Sequence, residues 1–88
     1  MFSLSKSIIS NCDFDKRFVS NLVEYLNKIN SNVCITTIDR RVNAKSVLGL
    51  LSLSIKRDDV IRIDILSSDS VEKAQEDLYK VLELIEMI

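Results

Sequence analysis

The residues able to do chemistry fall in two short stretches. Cys12-Asp13-Phe14-Asp15-Lys16-Arg17 sets a thiol, two carboxylates and a guanidinium close together, and Lys45-Ser46-Val47 sets a hydroxyl before an apolar run. Asp15 has the functional group of an acyl-phosphate acceptor. That chemistry normally needs neighbouring carboxylates holding Mg²⁺, because the metal must neutralise developing charge, and Asp13 is a single neighbour. Arg17 can pair with Asp13, which is worth little on a surface, or meet an anion on a partner. Cys12 lies near a helix start, where thiolate is favoured, but a free surface thiol with no role is the leading reading. What is missing narrows the field further. The chain has no His, no Pro, no Trp and one Gly, Gly49. No imidazole can act as base or ligand. Cys12 and Cys34 are too few for a structural zinc site, so no metal is expected. One glycine cannot form a phosphate cradle.

The elements that must position these groups follow from spacing. Phe2, Leu4 and Ile8 alternate, predicting a strand over 2–9 that Lys6 interrupts, as suits an edge. Val19, Leu22, Val23, Leu26 and Ile29 form one stripe, predicting a helix over 16–28. Asp15 is its N-cap residue and Phe14 a staple onto Val19. Asn30-Ser31-Asn32 stops it. Val33 to Ile38 is β-branched and predicts a strand. Asp39-Arg40 is a turn, and 41–43 a short returning strand. Ser46 is an N-cap type before a helix over 47–53. Lys56 to Asp59 is a polar loop. Val60 to Leu66 alternates Ile61, Ile63 and Ile65 against Arg62 and Asp64, a half-buried strand. Asp69 and Glu72 resemble a capping box before a helix whose stripe runs Val71, Ala74, Leu78, Val81, Leu82, Ile85, Ile88. Leu84 and Met87 fall off that stripe, as exposed residues or a dimer contact. Cys34 alternates within its strand as small core filler.

The order is β-α-β-β-α-β-α, within a single domain over 1–88. Such helices need a sheet face to cover. The economical fold is α+β, a two-layer open-faced sandwich: one four-stranded, mostly antiparallel sheet with three helices on one face. The other face should be polar, with Thr36, Arg62 and Asp64 pointing outward.

Composition bounds the partners. The 88 residues carry 12 basic and 13 acidic groups, for a net charge of −1, and 47% are hydrophobic. That is a globular profile. A phosphate-backbone binder usually shows a basic stripe, so no direct nucleic-acid contact is expected. The apolar runs are too short to span a bilayer and the first residues do not read as a signal peptide. The expectation is a cytoplasmic protein with reduced thiols, no cofactor and no membrane contact.

One segment is distinctive. Asn43-Ala44-Lys45-Ser46-Val47-Leu48-Gly49-Leu50-Leu51-Ser52-Leu53 resembles the regulatory-serine segment of HPr, the histidine-containing phosphocarrier of the bacterial sugar phosphotransferase system. Chain length, element order and the acidic residue before the last helix agree, and the resemblance covers essentially the whole chain. The family's active-site loop reads Gly-Ile/Leu-His-Ala-Arg-Pro-Ala. Here the aligned stretch is Asp13-Phe14-Asp15-Lys16-Arg17-Phe18-Val19. Asp15 replaces the phosphorylated histidine, Asp13 the glycine and Phe18 the proline. Arg17 alone survives.

The resemblance therefore implies no phosphocarrier chemistry and no enzyme, but a second site. In HPr proteins of Gram-positive bacteria the serine matching Ser46 is phosphorylated by HPr kinase/phosphorylase. The product is corepressor for a LacI-type catabolite regulator. A histidine-lacking class, the catabolite-repression HPr-like proteins, keeps only that role, with Gln at the histidine position. By resemblance the partners are that kinase, that regulator and other phosphotransferase proteins. Val47, Leu48 and Leu51 would form the docking patch, with Arg17 beside it. Phosphate on Ser46 would bring close to two negative charges to the positive end of a helix dipole, which tolerates them. The hydroxyl alone also suffices as an ordinary cap. Asp15 would be a cap, or a permanent negative charge standing for phosphohistidine. Arg17 could bind a phosphate on Ser46 of a partner or a regulator's acidic patch.

Overall fold

A computed structural model describes residues 2–67 and 69–87. The elements are β1 (Phe2–Ile9), α1 (Lys16–Leu26), β2 (Asn32–Thr36), β3 (Arg41–Asn43), α2 (Val47–Ser52), β4 (Val60–Ser67) and α3 (Val71–Met87). Ile88 and the side chain of Met87 lie outside the described residues.

The four strands form one sheet in the order β1-β4-β2-β3. Every pairing is antiparallel. β4 lies between β1 and β2 and alternates along most of its length. Ile61, Ile63 and Ile65 are fully buried on the helix side, with Val33 and Ile35 of β2. From α1 and the turn after it the predicted stripe of Val19, Leu22, Val23, Leu26 and Ile29 meets them, joined by Phe18. From α3 come Ala74, Val81 and Ile85. The two-layer α+β sandwich follows from those two periodicities closing on each other.

The boundaries differ from expectation where local hydrogen bonding decides. α1 ends at Leu26, because Asn27 and Lys28 close a tighter turn, with Lys28 N–H donating to the Tyr25 carbonyl. β2 starts one residue early and ends at Thr36. Thr37 N–H then bonds the Arg40 carbonyl across the turn, which leaves Ile38 fully exposed. α2 stops at Ser52 rather than 53. α3 is capped by Ser70, whose Oγ accepts the Lys73 N–H at 3.0 Å. The expected capping box of Asp69 and Glu72 is thus not formed; Asp69 N–H is bound to Ser67 Oγ. The ring that packs against Phe14 is Phe18, 4.6 Å away between centroids.

The open sheet face is polar at its centre, while Ile9 and Val60 stand exposed as partners at one end of it. Asp64 points to that face yet is only 3% exposed. Ser5 Oγ of β1 (2.5 Å), Thr36 Oγ1 of β2 (3.0 Å) and Arg62 Nε (2.9 Å) all donate to its carboxylate. Cys34 stands opposite Asp64 in the β2–β4 register and is half-buried on this same face. It is therefore not core filler; its neighbours Val33 and Ile35 take the inward positions.

Candidate functional site

Asp15 caps α1. Its backbone is extended (φ −79°, ψ 176°), and Oδ1 accepts the Phe18 N–H at 2.8 Å. That satisfies one of the donors a helix start leaves free. Asp13 Oδ1 accepts the Arg57 N–H at 2.9 Å, and Phe14 N–H bonds the Ile55 carbonyl at 2.9 Å. Ser10 and Asp58 exchange a further bond, as do Ser10 and Asp59. The loop before α1 is thus tied along its length to the loop after α2. Arg17 is exposed, and the ion pairs among the described residues belong to Arg62 and Lys73, so its pairing with Asp13 is not made.

These loops border an open hollow of about 610 Å³ lined by Asp13, Asp15, Arg17, Arg57 and the Asn11 and Asn21 amides. Sequence reasoning missed Arg57. Its signal was a charged loop, Lys56 to Asp59, with nothing to show that it folds against residues 10–15. Cys12 also lines the hollow. Burial pushes its thiol pKa up, the Asp13 and Asp15 carboxylates add to that, and the Ser10 hydrogen bond and Arg57 oppose it only in part. Burial, with the two acids behind it, outweighs what the helix start gives the thiolate, in line with a plain thiol there. Among the described residues no group of three or more acidic, Cys or His side chains could hold a metal ion.

Ser46 is placed as the spacing predicted. It caps α2 with extended backbone (φ −108°, ψ 114°), and its Oγ accepts the Gly49 N–H at 3.0 Å. The side chain is half-exposed. Leu48 is 81% exposed, whereas Val47 and Leu51 are half-buried against the core and Leu50 is fully buried. Lys45 Nζ donates to the Ile29 carbonyl just past the C-terminal end of α1, while Ile55 meets Phe14 at the N-terminal end. α2 therefore runs back along α1. Ser46 lies toward one end of α1 and Asp15 caps the other, about 16 Å of helix apart. Asp15 and Arg17 share the hollow; Ser46, Val47, Leu48 and Leu51 do not line it.

No described helix is long and apolar enough to cross a membrane. A family model described as PTS HPr component phosphorylation site matches residues 5–85. The phosphocarrier protein HPr of Xylella fastidiosa is 38% identical over 53 residues, which span 60% of each chain. HPr of Neisseria meningitidis is 29% identical over 72 residues, 82% of this chain and 81% of the relative. Among solved structures, HPr of Bacillus anthracis superposes with a TM-score of 0.81 at 26% identity, covering 96% of this chain and 98% of its own. The Bacillus subtilis catabolite repression containing protein Crh, described as a swapped dimer, superposes at 0.73 with 25% identity, covering 88% and 84%. The sheet order, the three helices over one face and a family match that runs through nearly all of them agree: the chain belongs to the HPr family of the phosphotransferase system.

Proposed function

We propose that this chain is a regulatory member of its family, phosphorylated on Ser46 and unable to carry phosphate at the family's histidine position, where Asp15 stands. HPr proteins are phosphocarriers rather than catalytic enzymes, and this chain has no histidine to carry with. The observation that carries the reading is Ser46 itself. A half-exposed hydroxyl caps a short helix beside the outward-facing Leu48. A phosphoryl group there would meet free backbone N–H groups and the positive end of the dipole, so the helix need not unfold to accept it. The switch would act by changing surface charge next to an apolar contact. The partners are HPr kinase/phosphorylase, a LacI-type catabolite regulator and other phosphotransferase proteins, in the cytoplasm. Val47, Leu48, Leu51 and Arg17 form the contact surface.

Asp15 fits its cap role first, since Oδ1 is already taken by Phe18 N–H. Its charge would also stand permanently where the family carries phosphohistidine, with Arg17 nearby. A second reading rests on Leu48, whose exposure needs no phosphate to recruit a partner. In that case the chain docks on phosphotransferase or regulator proteins unmodified. Capture on an immobilised LacI-type regulator separates the two. Kinase-treated protein should bind and its Ser46→Ala variant should not; equal binding of both would favour the unmodified module.

A further inference from the structure

A second concavity, of about 310 Å³, lies between the end of α1 and the C-terminal half of α3. Its base is apolar: Ile29 is 7% exposed, and Leu84 is half-buried against the core. Leu84 is one of the two residues that fall off the α3 stripe, and it lines this concavity. Tyr25 lines it beside them, and Lys28 and Lys80 approach from different elements, with Glu83 the one acid in the lining. Neither lysine belongs to an ion pair among the described residues. The Lys28 ammonium instead stands 5.4 Å from the centre of the Tyr25 ring. An exposed cation held over an aromatic face gains little there and remains available to an anion.

The occupant is constrained by charge. A two-fold pairing of two copies through this groove would bring the lysines of both against only one glutamate from each, which disfavours a second copy. An acidic chain with one apolar side chain matches both lysines and the apolar base, and leaves only Glu83 without a complement. We propose that the α1–α3 groove docks an acidic peptide segment of a partner protein, with an apolar anchor on Ile29 and Leu84 and flanking carboxylates on Lys28 and Lys80. Helix-bounded grooves take peptides by such anchors. This site uses none of Asp15, Arg17, Ser46, Val47, Leu48 or Leu51, so it adds a surface independent of the serine switch.

The test is an NMR titration of ¹⁵N-labelled full chain with acetyl-Asp-Glu-Leu-Phe-Glu-Asp-amide. Amide shifts should concentrate at Tyr25, Lys28, Ile29, Lys80 and Leu84. The paired charge reversal Lys28→Glu with Lys80→Glu should weaken binding about tenfold or more. Both side chains are exposed, so its spectrum elsewhere should stay unchanged. Four results would overturn the proposal: no binding; shifts centred on Leu48; equal binding of the peptide with Ala-Ala in place of Leu-Phe; or self-association through the groove without peptide.

Discussion

Ser46 and Gly49 share one contact that constrains both: Ser46 Oγ accepts the Gly49 N–H at 3.0 Å, and a Cβ at position 49 would stand 3.2 Å from that same oxygen. The oxygen cannot retreat without losing the cap. The chain's single glycine is therefore where a side chain would press on the serine, and Val42 Cβ, at 3.4 Å, closes the other side.

Thermal unfolding reads this contact. Ser46→Ala should cost about 1 kcal/mol, lowering Tm by about 4–8 °C. Ser46→Asp keeps an acceptor at the cap and should stay near the wild type, as a phosphorylated serine should. Gly49→Ala ordinarily gains about 1 kcal/mol in a helix; here crowding against Ser46 should cancel most of that gain.

Asp64 gives a second expectation. Burial pushes its carboxyl up, but the hydrogen bonds from Ser5, Arg62 and Thr36, with the Arg62 charge, win and hold it below the usual carboxylate range. A lowered folded pKa means the stability it contributes is complete above the unfolded value of about 3.9 and is lost as pH falls through the lower folded value. Asp64→Asn should therefore destabilise by about 1–3 kcal/mol at neutral pH and flatten the acid limb of a urea-midpoint-against-pH curve. An unchanged acid limb would show that the carboxylate does not bind β1 and β2 to β4.

Cys12 titrates the charge of the hollow. With its thiol pKa raised, alkylation by iodoacetamide at neutral pH should be slower than that of a free cysteine peptide, measured in a Cys34→Ser background. Asp15→Asn keeps a good cap and removes one of the charges opposing the thiolate. It should speed alkylation roughly threefold.

The architecture was legible because period-2 and period-3.6 stripes do not overlap in this chain: Ile61, Ile63 and Ile65 could only be a strand, and Leu22, Val23 and Leu26 only a helix. The two caps were legible as well, since Asp15 stands just before the amphipathic stripe of α1 and Ser46 just before an apolar run. What stayed hidden depends on contacts distant in sequence. Nothing near Asp64 announces that Ser5 and Thr36 will bury it, 59 and 28 residues away. Nothing near Arg57 places it in the hollow that Arg17 also lines. The α3 stripe begins at Val71 as expected, but the cap falls to Ser70 because Asp69 and Ser70 are both good cap types, and the choice rests on which N–H is free. A glycine-poor chain also hides its turns: Ser54 (φ 51°) and Asp58 (φ 77°) take left-handed backbone with no glycine to mark it.

The central claim is that phosphate enters at Ser46 and not at the α1 start. Incubating the full chain with an HPr kinase and ATP, and separately with phosphoenolpyruvate and enzyme I, followed by intact mass measurement of each, tests it directly. The expected result is one phosphoryl group from the kinase, absent in Ser46→Ala, and none from enzyme I. No phosphate from any cognate kinase, or a hydroxylamine-sensitive label on Asp15 from phosphoenolpyruvate, would contradict it.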